Sequence, residues 1–324
     1  MTVRDGHAVA HLPHPREALM KLKRLLAVAV IGSLALGTVA ACGGSKLDEK
    51  TKKDKAASGA YTIVKDPKFP AGSTMDKIHK AKHIKIGVKF DQPGIGYKNP
   101  TSGKVEGYDI EIGKMIAGQL GLDYNDNKQV EFVETVSKNR ETFLENGTVD
   151  LVIASYSITD ERKQLVGFAG PYYETGQDML IRKADKDKIK TPDDLAGKKV
   201  CSVTGSTPLA NIEKNYPKAK PVALAQYSDC VTQLQNSTVD VLTTDGAILL
   251  GYAAQDPDHL MVVGKPFSTE KYGIGMNKDR TDLRKWIDDR LDASFSDGSW
   301  KKAYDLTLGK SGSEAPNPPT LDRY

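Results

Sequence analysis

The chain repeats itself. Leu144-Glu145-Asn146-Gly147-Thr148-Val149-Asp150-Leu151 is answered further on by Leu234-Gln235-Asn236-Ser237-Thr238-Val239-Asp240-Val241. Each copy reads as the end of a helix, a tight turn and the start of a strand. Two copies of one helix-turn-strand unit predict two similar α/β lobes, which constrains the fold more than composition does. The 324 residues, 39% of them hydrophobic and 27% charged, are enough for both lobes. The formal net charge is +4, with lysines and acids interleaved throughout. That distribution gives a solvated surface rather than the concentrated basic face that nucleic-acid binding needs.

The first copy runs on into Asp150-Leu151-Val152-Ile153-Ala154-Ser155-Tyr156-Ser157-Ile158-Thr159-Asp160-Glu161-Arg162. Its short apolar run reads as a buried strand of a parallel sheet, and it ends in hydroxyls. Open α/β sheets bind ligands just beyond the carboxyl ends of their strands. The N–H and hydroxyl groups of Ser155 and Ser157 are therefore expected to face a crevice, with Arg162 close behind. Counting equally from Asp150 and Asp240 lands on Ser155 in one copy and Asp245 in the other. One strand end offers donors and the other a carboxylate, the pair of ends that a zwitterion requires.

Around this unit the α/β alternation is readable. Ile84 to Val88, Val130 to Val133 and Leu151 to Ile153 read as strands, and Asp109 to Leu120 and Arg140 to Asn146 as helices. Met179-Leu180-Ile181 is expected to be the first strand crossing between lobes. Thr191 is then an N-cap with Pro192 at the first helical position, opening a fresh unit. Lys199 to Val203, a helix opening near Ser206, Pro221 to Ala225, a helix from Ser228 to Gln235 and Val239 to Leu242 form the second lobe. Tyr272 to Met276 crosses back, and helices around Leu283 to Phe295 and Trp300 to Leu306 complete the first. The resulting division is lobe 1 over 61–181 and 270–310 with lobe 2 over 182–269. Two crossing strands make a hinge suited to closing around a small ligand.

The ends of the chain read differently. Lys21, Lys23 and Arg24 precede an apolar stretch from Leu25 to Ala41, which is short for a bilayer span and closes on small residues. Residues 1–42 are therefore expected to be a signal peptide, with Met20 better placed than Met1 to begin it. Val39-Ala40-Ala41-Cys42, followed by Gly43-Gly44, reads as a lipobox that would place a lipid on Cys42; a plain secretory signal holding a cysteine is the alternative. Residues 43–60 and 311–324 are poor in large apolar side chains and are expected to be a tether and a disordered tail.

Gly107-Tyr108-Asp109-Ile110-Glu111, Ser137-Lys138-Asn139-Arg140, Ser155 to Arg162, Phe168-Ala169-Gly170-Pro171-Tyr172-Tyr173, Gly205-Ser206-Thr207 and Thr243-Thr244-Asp245 follow one another between about Lys85 and Tyr304. In these motifs the chain resembles the solute-binding proteins of polar amino-acid ABC transporters, most of all the glutamate-binding lipoproteins of high-GC Gram-positive bacteria. The resemblance implies a two-lobed α/β fold of the type II periplasmic-binding-protein kind with two hinge-crossing strands. It implies a lipid-anchored monomer on the extracytoplasmic face of the cell membrane, with a free amino acid and a permease as partners and no cofactor or metal.

It also implies roles. Arg162, with Ser155, Tyr156 and Ser157 before it, would hold the α-carboxylate, a planar anion that a guanidinium grips in bidentate fashion. The alternative for Arg162 is a helix-start ion pair with Asp160 or Glu161. Ser206 and Thr207 would clamp the carboxylate from the other lobe, as an anion nest at a helix N-terminus or as a cap serving only that helix. Asp245 matches the acid for the α-ammonium, with a helix N-cap as its alternative. Arg140, beside Ser137, and Lys89 match basic positions of glutamate and aspartate binders and would select an acidic side chain; the alternative for both is a solvent-facing charge. Tyr227 would add a polar contact, and Gln92-Pro93-Gly94 departs from the residue that often stacks on the ligand.

Besides Cys42, the chain holds only Cys201 and Cys230. They fall on a strand and a helix of the second lobe, and adjacent elements of one lobe can reach the ~5.5–6 Å Cα spacing of a disulfide. A disulfide is expected outside the cytoplasm, with two buried thiols as the alternative. No Cys or His partners occur at zinc-binding spacing. An enzyme on this fold would need a positioned acid or base. Beyond the signal segment only His79, His83 and His259 remain, none near the motifs, and Asp245 is already accounted for. A sensor lipoprotein that binds the same ligand without a transporter is the other reading.

Overall fold

The structure, a computed structural model, describes residues 61–324; the expected signal segment, Cys42 and the tether lie outside them. The first lobe contains α1 (Thr74–Ala81), β1 (Ile84–Val88), a ribbon of β2 (Asp91–Gln92), β3 (Gly96–Lys98) and β4 (Val105–Glu106), α2 (Tyr108–Gln119), β5 (Val130–Glu134), α3 (Arg140–Glu145), β6 (Leu151–Val152), α4 (Asp160–Leu165) and β7 (Val166–Thr175). The second contains β8 (Gln177–Arg182), β9 (Lys199–Val203), α5 (Thr207–Asn215), β10 (Lys220–Leu224), α6 (Tyr227–Gln235), β11 (Val241–Asp245), α7 (Gly246–Gln255) and β12 (Leu260–Val262). The chain returns as β13 (Glu270–Asn277), and α8 (Thr281–Asp297) and α9 (Ser299–Asp305) finish the first lobe.

The two main sheets have one topology. Their strand orders are β5-β1-β6-β13-β7 and β10-β9-β11-β8-β12. Each sets parallel strands beside an antiparallel one that has just crossed from the other lobe: β13 against β6 and β7, β8 against β11 and β12. This is the type II periplasmic-binding-protein arrangement. Both sheets are covered on both faces, which explains their unbroken apolar runs. In β6, Leu151 joins one apolar cluster and Val152 another; in β8, Leu180 faces one and Met179 and Ile181 the other.

The sequence repeat is a structural one. Leu144 and Leu234 are each fully buried at a helix end. The turn that follows takes a left-handed residue in both copies, Gly147 at φ 72° and Ser237 at φ 59°. The Asp then ties the third strand to the first. Asp150 N donates to Lys85 O at 2.8 Å and its Oδ2 accepts from Lys85 N at 3.0 Å. Asp240 and Lys199 make the same pair of bonds at 2.9 and 2.8 Å.

Two expectations are corrected. Met179 to Ile181 does not cross between lobes; it pairs with β11 and β12 deep in the second sheet. The crossing is at Gly176, whose neighbour Gln177 accepts from Phe267 N at 2.9 Å and donates its own N–H to Ser268 Oγ at 3.0 Å. Lobe 2 therefore begins near residue 177 rather than 182. An apolar triplet looks the same in a crossing strand and a core strand, so the sequence did not separate them.

Residues 311–324, expected as a disordered tail, lie against the first lobe. Ala315 and Leu321 pack on its core, and Asp322 N donates to Gly170 O at 2.7 Å. The Tyr324 ring sits between the Lys163 ammonium and the Arg284 guanidinium, 4.5 and 3.9 Å from its centroid, and its hydroxyl accepts from Phe168 N at 3.0 Å. These contacts satisfy the outer edge of β7, the last strand of its sheet. Apart from Ala315, the anchors are in the last four residues, beyond the Gly, Ser and Pro stretch on which the expectation was based.

Candidate functional site

Where β6 ends, the chain turns sharply through Ser155, at φ 42°. Its N–H does not face the crevice as expected but donates to Asp109 Oδ2 at 2.7 Å. Asp109 is buried, and its other oxygen accepts from the Tyr172 hydroxyl at 2.6 Å. Burial pushes its carboxyl up to about 6, opposed by the Tyr172 and Ser155 hydrogen bonds and by Lys89. Asp109 thus holds the turn in shape. The Ser155 hydroxyl donates to Gln92 Oε1 at 2.9 Å, and the buried Gln92 Nε2 has no partner among the described residues.

Three cations from the first lobe gather behind this turn. Lys89 is 4% exposed and donates to Ser137 Oγ at 2.8 Å. Its ammonium is pushed down to about 7 by burial and by the positive charge of Arg140. Arg140, 2% exposed, stacks on Tyr156 with the guanidinium 4.3 Å from the ring centroid. It donates to the carbonyls of Ser137, Ala154, Ser155 and Gly205. Burial and the Arg162 charge lower it to about 10. Neither Lys89 nor Arg140 is a solvent-facing charge. Arg162 covers the same Tyr156 ring at 5.0 Å, donates to Ser157 O at 2.7 Å, and pairs through Nε with Glu141 at 3.2 Å rather than with Asp160 or Glu161.

The second lobe meets them with the turn after β9. Gly205 O accepts from Arg140 and Arg162 across the cleft at 3.0 and 2.9 Å. Ser206 caps α5: its hydroxyl accepts from Leu209 N at 3.1 Å and donates to Val203 O at 2.7 Å. That hydroxyl serves the helix, so Ser206 acts on the cleft through the helix end it fixes. Thr207 Oγ1 donates to Glu270 Oε2 at 2.8 Å and lies 3.4 Å from Ser157 Oγ across the cleft. Tyr227 is buried in the second lobe beside Ser202, Ser206 and Thr244.

Asp245 occupies the N-cap position of α7, yet its side chain makes no capping bond. Its Oδ2 accepts from the Tyr272 hydroxyl at 2.6 Å, and its buried Oδ1 has no hydrogen-bond partner among the described residues. Burial, with the Glu270 carboxylate, pushes it up to about 7, against Tyr272, Arg140 and Arg162. A buried carboxylate with one open oxygen is costly alone and is suited to an added cation.

The expected site residues therefore converge on one inter-lobe cleft, cations on one side and a carboxylate on the other. Gln92, Asp109, Glu141 and Glu270 complete it and were not assigned from the sequence. Asp109 lies in a motif already quoted, but isolated acids at strand or helix ends carry no spacing signal. Cys201 and Cys230 form a disulfide with Cα atoms 5.6 Å apart, joining β9 to α6 beneath the Gly205 turn.

The family model of bacterial extracellular solute-binding proteins, family 3, matches residues 84–310. The glutamate-binding protein GluB of Corynebacterium efficiens is 39% identical over 70% of this chain and 79% of its own length. The ABC transporter glutamine-binding protein GlnH of Bacillus subtilis is 36% identical over 87% and 96%. Among solved structures, the solute receptor for L-cysteine of Neisseria gonorrhoeae superposes with a TM-score of 0.69 at 30% identity, covering 77% of this chain and 99% of that one. The chain belongs to family 3 of the bacterial extracellular solute-binding proteins, and is a binding protein rather than an enzyme.

Proposed function

We propose that the protein captures an acidic amino acid, L-glutamate first, between its lobes and delivers it to the permease of an ABC transporter. The observation that carries this reading is the layout of charge. Lys89, Arg140 and Arg162 are buried together in the first lobe, and Asp245, within electrostatic reach of both arginines, keeps one buried oxygen unpaired among the described residues. A ligand with two carboxylates and one ammonium matches that set of charges, and lysine and arginine, whose side chains carry the same sign as the site's cations, are repelled. In this reading Arg162, with Ser157 and Thr207, takes the α-carboxylate and Asp245 the α-ammonium. Arg140, Lys89 and Ser137 take the distal carboxylate, and Ser155, Tyr156, Ser206 and Tyr227 shape the wall. The name of the Corynebacterium relative supports the choice of ligand.

Glutamine is the second reading. Arg140 already donates to four carbonyls, Gln92 Nε2 offers a donor suited to an amide oxygen, and the Bacillus relative carries glutamine in its name. Calorimetric titration of the soluble domain with glutamate, aspartate, glutamine, lysine and arginine separates them. Glutamate tightest supports the proposal, and glutamine tightest replaces it.

In the transport reading the protein works outside the cytoplasm as a monomer, held by a lipid on Cys42 of the lipobox that precedes the lobes. An acylated Cys42 peptide in the membrane fraction supports the anchor, and an unmodified Cys42 at steady state rejects it. Loss of glutamate uptake on deleting the gene supports delivery to a transporter; unchanged uptake favours a sensor.

A further inference from the structure

We propose that Asp91 positions the closed form: carried by the first lobe, it caps helix α6 of the second, so capping and closure are one event. The first N–H groups of a helix have no partner within it. The residue at the N-cap of α6, Gln226, makes no side-chain capping bond. Its amide instead reaches across the cleft to Glu134 Oε1 at 2.6 Å. The cap comes from the other lobe. Asp91 Oδ2 accepts from Tyr227 N at 2.8 Å and from Ser228 N at 3.4 Å. A carboxylate is favoured there by the helix dipole as well as by the bonds themselves.

The seat around Asp91 is shaped for this contact. Its carbonyl accepts from the Tyr252 hydroxyl of α7. Two residues on, Pro93 lies against α7 at Gly251, where an added Cβ would come 2.1 Å from Pro93 O. The capped helix is not free to move alone, because Cys230 ties it to Cys201 on β9, the strand that leads to Gly205. The cap on α6 and the Gly205 carbonyl between the arginines are thus held by one stapled piece of the second lobe. None of the Asp91 hydrogen bonds goes to the cations or to Asp245, although the Asp91 charge favours the charged form of Lys89. Asp91 therefore sets how readily the lobes meet, and it bears on ligand choice only through Lys89.

The inference rests on the binding reading for its effect on affinity, but its test has an arm that needs no ligand. Hydrogen exchange in the ligand-free protein reads the Tyr227 and Ser228 amides, and small-angle scattering reads the spread of the lobes. Asp91→Ala is expected to speed exchange at both amides and enlarge the radius of gyration; Asp91→Asn, whose side chain also caps, is expected to restore both. Titration with L-glutamate and L-glutamine should show Asp91→Ala weakening glutamine roughly five- to tenfold and glutamate at least as much, because losing the carboxylate also lowers Lys89. Unchanged exchange and scattering in Asp91→Ala overturn the proposal, as does a change in either that Asp91→Asn fails to restore. If wild-type protein binds neither amino acid, the functional reading falls and the exchange and scattering results still decide the role of Asp91.

Discussion

Arg140 and Arg162 donate to a single acceptor, the carbonyl oxygen of Gly205, at 3.0 and 2.9 Å. Two buried guanidiniums of the first lobe thus share one neutral oxygen of the second, and burial together with the Arg162 charge lowers Arg140. An anion brought between them relieves their repulsion, which supports the proposal of a carboxylate-bearing ligand here. Gly205 is at φ 80°, and a Cβ on it would come 2.8 Å from Lys138 Cα in the first lobe. Gly205→Ala should therefore hold the lobes apart and weaken every amino acid at least tenfold. Titration checks it, and wild-type affinities would show that the turn yields.

Binding should be linked to protons in opposite senses on either side of neutrality. Asp245 is raised to about 7, so below that pH it is protonated in the free protein. A ligand ammonium favours its ionised form, so binding near pH 6 releases a proton and weakens as pH falls. Lys89 is lowered to about 7 and is neutral above it. A ligand carboxylate favours its charged form, so binding near pH 8 takes up a proton and weakens as pH rises. Affinity for glutamate should peak near 7, falling by up to about tenfold per unit on either side. Calorimetry at pH 6 and 8 in buffers of different ionisation enthalpy measures both signs. Asp245→Asn should remove the release and Lys89→Met the uptake.

The Cys201–Cys230 bond closes a sequence separation of 29 residues. In the loop-entropy model such a closure stabilises the fold by about 3–4 kcal/mol. Reduction should lower the melting temperature of the second lobe, and alkylation without reductant should leave both thiols unlabelled. Quantitative labelling of either would show that the pair is open in solution.

The last residue also bears on stability. Tyr324 accepts from Phe168 N and lies between Lys163 and Arg284. Tyr324→Ala leaves an edge-strand donor without this acceptor and removes two cation–π contacts, for a loss of roughly 1–2 kcal/mol. Chemical denaturation measures it. An unchanged midpoint would mean that the segment rests on the lobe without supporting it.

Much of this architecture was legible because it is periodic. The repeat, the alternation of strands and helices and the hydroxyl-rich end of β6 each follow from spacing. The crossing point was not legible, because Met179-Leu180-Ile181 is apolar on both faces whether it bridges lobes or sits in a core. Ser155 shows the same limit at the site. Its position was found by counting, but the direction of its N–H depends on Asp109, far away in sequence. The alternatives for Arg162 and Asp245 were local, an ion pair with a neighbour and a helix cap. Tertiary partners replaced both, Glu141 for one and Tyr272 for the other.

Ligand choice is tested by the difference between the two arginines. In the proposed pose Arg162 meets the α-carboxylate that all amino acids share, so Arg162→Ala should abolish binding of each of them. Arg140 meets only the distal end. Arg140→Ala keeps the α-end and removes a buried charge-assisted pair, so glutamate should weaken by roughly ten- to a thousandfold. Glutamine, with a neutral end, should lose much less. The four carbonyls that Arg140 holds lose a partner in either case, which lowers stability but treats both ligands alike. The ratio of the two affinities is therefore the informative quantity, and it should fall towards one. A variant that keeps the wild-type preference for glutamate would move the source of selectivity from Arg140 to Lys89, whose replacement by Met should then collapse the ratio instead.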